Sequence, residues 1–328
     1  MRLSGAGAGR RRRARVGRLA RVAVRSVGRA GEPRTGPGTT PDDEGGTTMV
    51  EQAHGVDAQD DGTPAVAVLG GGVMGEALVS ALLTGGWPAD RVEVTERAQE
   101  RAAQIAERYG VRTGADNAHA VQRADVVLLA VKPNVVPAVL TEVAPALRAG
   151  ALVVSVAAGV PLATYESALP AGTPVVRVMP NTPAVVGKGA SAIAPGAAAG
   201  EEHLALVERV LAATGLVVRV AEKDLDAVTA ISGSGPAYAF YLIDAMAEAG
   251  VLLGLTRDLA TRLAVATVEG AGALAAQGEH PAVLRERVSS PGGTTVAAVA
   301  QLDAHAVRAG VVAAARAAFD RSRELGRS

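Results

Sequence analysis

A chain of 328 residues, 48% apolar but only 2% aromatic, is long enough for two domains with cores of alanine, valine and leucine. It has no cysteine, which excludes disulfides, thiolate metal sites and cysteine nucleophiles, and no apolar run approaches the about 20 residues that span a bilayer. The formal charge of zero divides unevenly: residues 1–48 hold eleven arginines against four acids, leaving the remainder with 22 basic and 29 acidic residues, a net of −7 that argues against nucleic acid as a partner.

Residues 1–62 read as a tail rather than a fold. Arg10–Arg13 lies in a Gly/Arg/Ala tract, followed by Gly36-Pro37-Gly38-Thr39-Thr40-Pro41 and an acidic patch, a composition that cannot bury enough surface to order itself. Three readings compete: a disordered tail, a basic targeting or membrane-surface segment, and upstream sequence taken from too early a start, with Met49 the alternative beginning.

From Pro64 strands and helices alternate. The pattern predicts strands at Ala65–Leu69, Arg91–Thr95, Val111–Arg112, Ala124–Val131, Leu152–Ala157, Val175–Met179, Ser191–Ala194 and Leu216–Val220. Between them it predicts helices at Gly75–Thr84, Ala98–Tyr109, Asn117–Gln122, Val135–Leu147, Pro161–Ala168 and Glu201–Thr214. Short βα units in series predict an α/β fold, a doubly wound Rossmann-type domain over residues 63–222. After it only helical patterns remain: Lys223–Ile231, Pro236–Leu253, Asp258–Gln277, Pro281–Val288, Thr294–Leu302 and His305–Leu325. Residues 223–328 are therefore expected to form an all-helical domain. Its alanine-rich helices are apolar on more than one face, as expected of helices buried against a second subunit.

The organising stretch is Val66 to Leu78. An apolar strand runs into Gly70-Gly71-Gly72-Val73-Met74-Gly75, and an alanine-rich helix follows. Gly70 allows a sharp turn, Gly72 removes a Cβ where phosphate oxygens approach backbone N–H groups, and Gly75 lets helix and strand pack closely. This is a dinucleotide pyrophosphate cradle, and its flanks make it more than an isolated glycine turn. The second strand ends at Glu96-Arg97. An acid there suits the 2′-hydroxyl of NAD and an arginine suits the 2′-phosphate of NADP, so the pair leaves NADPH or NADH open. Ala130-Val131-Lys132-Pro133 ends a buried strand at the ligand edge, where Lys132 reads either as a contact to cofactor phosphates or ribose or as a lysine capping the strand end. Ala157-Ala158-Gly159 follows the next strand and leaves room for a flat nicotinamide ring.

Two further loops stand out. Pro180-Asn181-Thr182-Pro183 is as often a plain turn as a site, and Ser232-Gly233-Ser234-Gly235-Pro236 reads as a helix kink or a close backbone approach. Ser289-Ser290-Pro291-Gly292-Gly293-Thr294-Thr295 joins two helices and forms a second anion nest, with N–H groups of Gly292, Gly293 and Thr294 expected to be exposed at a helix start. The five histidines show no metal-ligand spacing.

These segments, in this order and covering about Pro64 to Glu324, resemble the pyrroline-5-carboxylate reductase family. The most specific is His280-Pro281 through Thr295. The resemblance implies NADPH- or NADH-dependent reduction of 1-pyrroline-5-carboxylate to L-proline, a cytoplasmic step of proline biosynthesis. It implies cofactor contacts from Gly70, Gly71, Gly72, Val73, Met74, Gly75, Asn117, Ala130, Val131, Lys132, Pro133, Ala157, Ala158 and Gly159, with Glu96 and Arg97 at the ribose. It places Glu222, Ser290, Gly292, Gly293, Thr294 and Thr295 at the substrate, Thr295 on the ring nitrogen and the Gly292–Thr294 backbone on the carboxylate. The helical domain would interlock with a twin into a homodimer, in many members part of a decamer. Two positions depart from the pattern: Val73 stands where asparagine is frequent, and Glu96 where serine or threonine is frequent. A β-hydroxyacid dehydrogenase of the same plan would need a lysine in the helical domain, and none follows Lys223. A binding protein that holds the dinucleotide without turnover would not need the second nest.

Overall fold

The computed structural model describes residues 62–326, so the tail read before Gly62 and the start at Met49 lie outside the described residues. The strands are β1 (Val66–Leu69), β2 (Val92–Thr95), β3 (Arg112–Gly114), β4 (Val126–Leu129), β5 (Leu152–Ser155), β6 (Val175–Met179), β7 (Gly189–Pro195) and β8 (Gly215–Arg219). They form one sheet in the order β3-β2-β1-β4-β5-β6-β7-β8. Every neighbouring pair is parallel except β6 and β7. The link from Met179 to Gly189 holds a single 3-10 turn, Thr182–Val186, and is too short for the crossover that parallel strands require. The sequence pattern located β7 without revealing its direction.

Helices α1 (Val73–Thr84), α2 (Gln99–Tyr109), α3 (Asn117–Val121), α4 (Val136–Val143), α5 (Leu162–Ala168) and α6 (Glu201–Leu211) cover both faces. The two-residue period of β1 divides the core. Val66 and Val68 pack with Leu78 and Leu82 of α1 and Val207 of α6. Ala67 and Leu69 pack with Val139 and Leu140 of α4 and Tyr165 of α5. The helix expected over Val135–Leu147 ends at Val143 and continues as a 3-10 turn, Ala144–Ala146, because Pro145 has no N–H for an α-helical bond.

Beyond Arg219 the described residues are helical: α7 (Leu225–Val228), a π turn at Thr229–Gly233, then α8 (Gly235–Leu252), α9 (Arg257–Ala275), α10 (Pro281–Arg287), α11 (Thr294–Ala304) and α12 (Val307–Leu325). The single helix expected over Lys223–Ile231 is thus a short α-helix widened into a π turn, and this is the form the expected kink takes. The Ser234 N–H reaches back to the Thr229 carbonyl at 2.8 Å, and the Tyr238 hydroxyl donates to the Ala230 carbonyl at 3.0 Å. No single helix among the described residues is long and apolar enough to cross a membrane.

The helical region has little core of its own. Ala247, Ala260 and Ala264 form a small cluster between α8 and α9, while α10 and α11 bury no residue. Phe240, Tyr241, Leu252 and Leu253 are 62%, 81%, 83% and 85% exposed. Small alanines allow close helix approach but remove little apolar surface from water. The bare faces fit burial against a second copy of the chain. The melting temperature is expected to rise with protein concentration across a dilution series, as mass action requires when folding and association are coupled; a concentration-independent value would count against that cover.

One cluster ties α1 to α2. Glu76, in the first turn of α1, pairs with Arg101, accepts from Arg108 Nη1 at 2.8 Å and accepts from the Tyr109 hydroxyl at 3.0 Å. The Arg101 hydrogen bond holds the Glu76 carboxyl below the ordinary carboxylate value, and burial pushes the Tyr109 hydroxyl up. A lowered acid stabilises the fold above its ordinary value, and that contribution disappears as pH falls through the lowered one. Glu76→Gln should therefore melt below wild type at neutral pH, with the gap closing as pH is taken below the carboxylate range; a gap that persists in acid would remove the ion pairs as its cause.

Candidate active site

The register of the parallel strands sets out one edge. Leu69 pairs with both Thr95 and Leu129, and Leu129 pairs with Ser155, so four strands end side by side. The next residues, Gly70, Glu96, Ala130 and Val156, emerge together at the carboxyl edge. β1 lies between β2 and β4, where the strand order reverses, the position at which open α/β sheets bind ligands. A cleft of about 370 Å³ opens there, lined among others by Gly70, Gly72, Glu96, Arg97, Asn117 and Lys132. Thr95, Ala115, Ala130, Val131, Val135 and Val139 complete its wall.

The glycines of the first loop serve different ends. Gly70 has φ +108°, and a Cβ there would lie 2.8 Å from the Ala130 carbonyl oxygen. Gly75 answers to packing alone, since a Cβ would lie 1.9 Å from the Gly70 carbonyl oxygen. Gly72 is the exception: a Cβ there meets nothing within 4 Å, and its φ of −70° is open to any residue. Nothing in the chain crowds this position, and without a Cβ the Gly72 backbone stays open toward the cleft. The first-turn N–H groups of α1 have no carbonyl of their own helix to bond, so this space faces donors and a positive helix end. That combination fits a dinucleotide pyrophosphate. Gly71 differs from expectation, because its N–H donates to Glu96 Oε2 at 3.1 Å, within the loop rather than toward the cleft. Val73 and Met74 fall in the first turn of α1 with Val73 67% exposed, and neither lines the cleft.

Asn117 is buried and held on both sides: its Oδ1 accepts from the Thr95 hydroxyl at 2.6 Å, and its Nδ2 donates to Glu142 at 3.0 Å. Thr95 was not among the expected site residues, although a hydroxyl closing a Val-rich strand is a visible signal. Lys132 is exposed at the start of a 3-10 turn that Pro133 opens.

Ala157, Ala158 and Gly159 follow β5 but lie outside the cleft lining. Ser155 anchors this loop, accepting from the Ala157 N–H at 3.2 Å and sharing a 2.6 Å hydrogen bond with the Tyr165 hydroxyl, whose pKa burial raises. Gly159, at φ +77°, sits against the end of α12, where a Cβ would lie 3.7 Å from Leu325 Cβ. Glu222 joins β6 to α5. Its Oε1 accepts from Arg177 Nη1 at 3.0 Å and from the Leu162 N–H at 2.7 Å, at the start of α5. Arg177 was not anticipated, yet a single charge inside Val-Val-Arg-Val-Met asks for a buried partner. Asn181 likewise serves the fold, donating to the Ser232 carbonyl at 3.0 Å and accepting from the Ala190 N–H at 2.8 Å.

The second nest is partly as expected. Ser290 to Gly293 form a tight turn with Gly292 at φ +71°, and the Gly293 N–H donates to the Ser290 carbonyl at 2.9 Å. That bond takes the Gly293 N–H away from any ligand, a correction to the expectation that it is exposed. Gly293 is the N-cap of α11 without a side-chain cap, which leaves the first-turn donors from Thr294 onward. Ser290, Gly292 and Thr294 are exposed and Thr295 partly buried. None of Ser290, Gly292, Gly293, Thr294 and Thr295 lines the cleft within the same chain.

Known proteins share this arrangement. A family profile described as pyrroline-5-carboxylate reductase dimerisation matches residues 222–325, and one described as NADP oxidoreductase, coenzyme F420-dependent, matches residues 65–159. The chain is 47% identical over 266 residues to the pyrroline-5-carboxylate reductase of Corynebacterium melassecola, covering 80% of this chain and 98% of that protein. It is 43% identical over 265 residues to that of Pseudomonas aeruginosa, covering 80% and 97%. Among solved structures, a pyrroline-5-carboxylate reductase from Coxiella burnetii aligns with a TM-score of 0.78 at 36% identity, covering 81% of this chain and 100% of that one. The pyrroline carboxylate reductase of Plasmodium falciparum, solved with NADP bound, aligns at 0.72 and 26% identity, covering 80% and 98%. A helical segment that matches the dimerisation profile, behind a dinucleotide cleft at the strand switch, completes the argument: the chain belongs to the pyrroline-5-carboxylate reductase family.

Proposed function

We propose that this protein reduces 1-pyrroline-5-carboxylate to L-proline with a reduced nicotinamide dinucleotide, the last step of proline biosynthesis. The observation that carries this reading is the cleft at the strand switch, where the bare backbone of Gly72 lies open beside the start of α1. The reduced nicotinamide, when bound, supplies a hydride to the imine carbon. The remaining work is positional. The first-turn N–H groups of α1 hold the pyrophosphate, Asn117 and the Ala130–Pro133 exit line the ribose and nicotinamide side, and Ala157–Gly159 borders the ring. The Thr294 end of α11 binds the substrate carboxylate, and the Thr295 hydroxyl hydrogen-bonds the ring nitrogen. An imine nitrogen is basic enough to carry its own proton, so the site needs orientation and exclusion of water more than a strong acid.

The division of labour falls near Glu222, with residues 63–222 holding the cofactor and residues 223–328 the substrate and the partner. Because Thr294 and Thr295 lie outside the cleft of their own chain, we assign the complete pocket to a dimer in which one subunit contributes the cofactor cleft and the other the nest. Glu222 keeps a place at this junction through its bonds to Arg177 and Leu162. The exposed Leu252-Leu253 corner supports further assembly of dimers, as in a decamer. We assign the reaction to the cytoplasm, as the family resemblance implies.

Dinucleotide oxidation should appear only when pyrroline-5-carboxylate is added, and Thr295→Ala should lower kcat at least about tenfold, or about 1.4 kcal/mol in barrier. Unchanged turnover in that variant would remove Thr295 from the reaction. The glycines give a second check. Gly72→Ala should melt like wild type but raise the dinucleotide KM, whereas Gly75→Ala should lose about 3 kcal/mol of stability from its clash with Gly70. Equal stability losses in the two variants would show that Gly72 serves the fold and not a ligand.

A further inference from the structure

Two neighbouring residues of opposite charge line the cleft, and the structure treats them differently. Glu96 is partly buried at the end of β2, and both its oxygens are held by backbone: Oε2 accepts the Gly71 N–H at 3.1 Å and Oε1 accepts the Ala98 N–H at 3.0 Å. Gly71 is itself fixed from its other side, since Arg101 Nε donates to its carbonyl at 2.9 Å while Arg101 pairs with Glu76. The carboxylate of Glu96 is therefore anchored beside the glycine turn, at the position where a dinucleotide presents its adenosine ribose. Arg97 lines the same cleft but is exposed and makes no hydrogen bond or ion pair among the described residues.

A carboxylate has about four lone-pair sites, and two of those on Glu96 are occupied by N–H donors. The remaining sites can accept hydrogen bonds but not donate them. A ribose with free 2′- and 3′-hydroxyls offers two such protons. A 2′-phosphate offers only acceptor oxygens and carries about two negative charges, which meet an anchored charge of the same sign. Arg97 opposes that repulsion, but it must first be ordered from solvent, at the cost of side-chain freedom. The fixed anion outweighs the mobile cation.

We propose that Glu96 selects the dinucleotide and makes this chain prefer NADH over NADPH, with Arg97 leaving a weaker acceptance of the phosphorylated form. The proposal rests on the reading of the cleft as the dinucleotide site.

The test uses the full chain and two fragments that carry the ribose but no nicotinamide, ADP-ribose and 2′-phospho-ADP-ribose, titrated by calorimetry into wild type, Glu96→Gln and Arg97→Ala. Wild type should bind ADP-ribose at least about tenfold more tightly, a difference of about 1.4 kcal/mol. Glu96→Gln keeps an acceptor for one backbone N–H and removes the charge, and its preference should shrink or invert. Arg97→Ala should weaken the phosphorylated fragment and leave ADP-ribose unchanged. The ratio of kcat/KM for NADH and NADPH should follow, with the change carried by KM. Tighter or equal binding of the phosphorylated fragment by wild type overturns the proposal while leaving the cleft intact, and so does a preference unmoved in Glu96→Gln. Failure of both fragments to bind any of the three proteins overturns the reading of the cleft, and this proposal with it.

Discussion

The absence of a side chain at Gly75 seats the first helix on the first strand. The Gly70 carbonyl occupies the place where that side chain would stand, 1.9 Å from an added Cβ. The contact brings the start of α1 down onto the end of β1, so the unpaired N–H groups of the helix open at the sheet edge rather than above it. Everything at the cofactor end is referred to this contact. The turn at Gly70 leans on Ala130, which fixes the exit of β4, and Gly71 leans on Glu96, which fixes the exit of β2. Arg101 and Glu76 close the circuit from α2 back to α1.

The two halves of the chain are stabilised in different ways. The sheet carries complete cores on both faces, filled by valine and leucine and crossed by few polar groups. The helical half buries three alanines between two long helices and leaves much of its remaining apolar surface bare. A protein built this way gains much of the order in its second half from association. The turn from Ser290 to Gly293 lies in that second half.

Much of this could be read from the residues. The strands up to β6 and the helices between them follow from the βα pattern, and the glycine loop announced its cleft through an apolar strand before it and a helix after it. What stayed hidden depended on contacts between distant segments. The reversal of β7 is a property of a connection length, not of hydrophobic period. The π turn at Thr229–Gly233 is set by the Tyr238 hydroxyl taking a carbonyl eight residues back, which no propensity records. Glu96 was legible as a candidate but not as an anchored one, because one of the two N–H groups that fix it belongs to a residue 25 positions earlier. Asn181 stood out for its prolines and proved to be a strut between two parts of the fold.

Gly159 touches the last turn of α12, at Leu325 and Gly326. The same helix packs against the π turn and α11, within the half of the chain that associates. One helix therefore links the half of the chain that associates to the loop after β5. Coupling through such a helix is reciprocal: a ligand that tightens the association of that half is itself bound more tightly, by the same factor, once the half is associated.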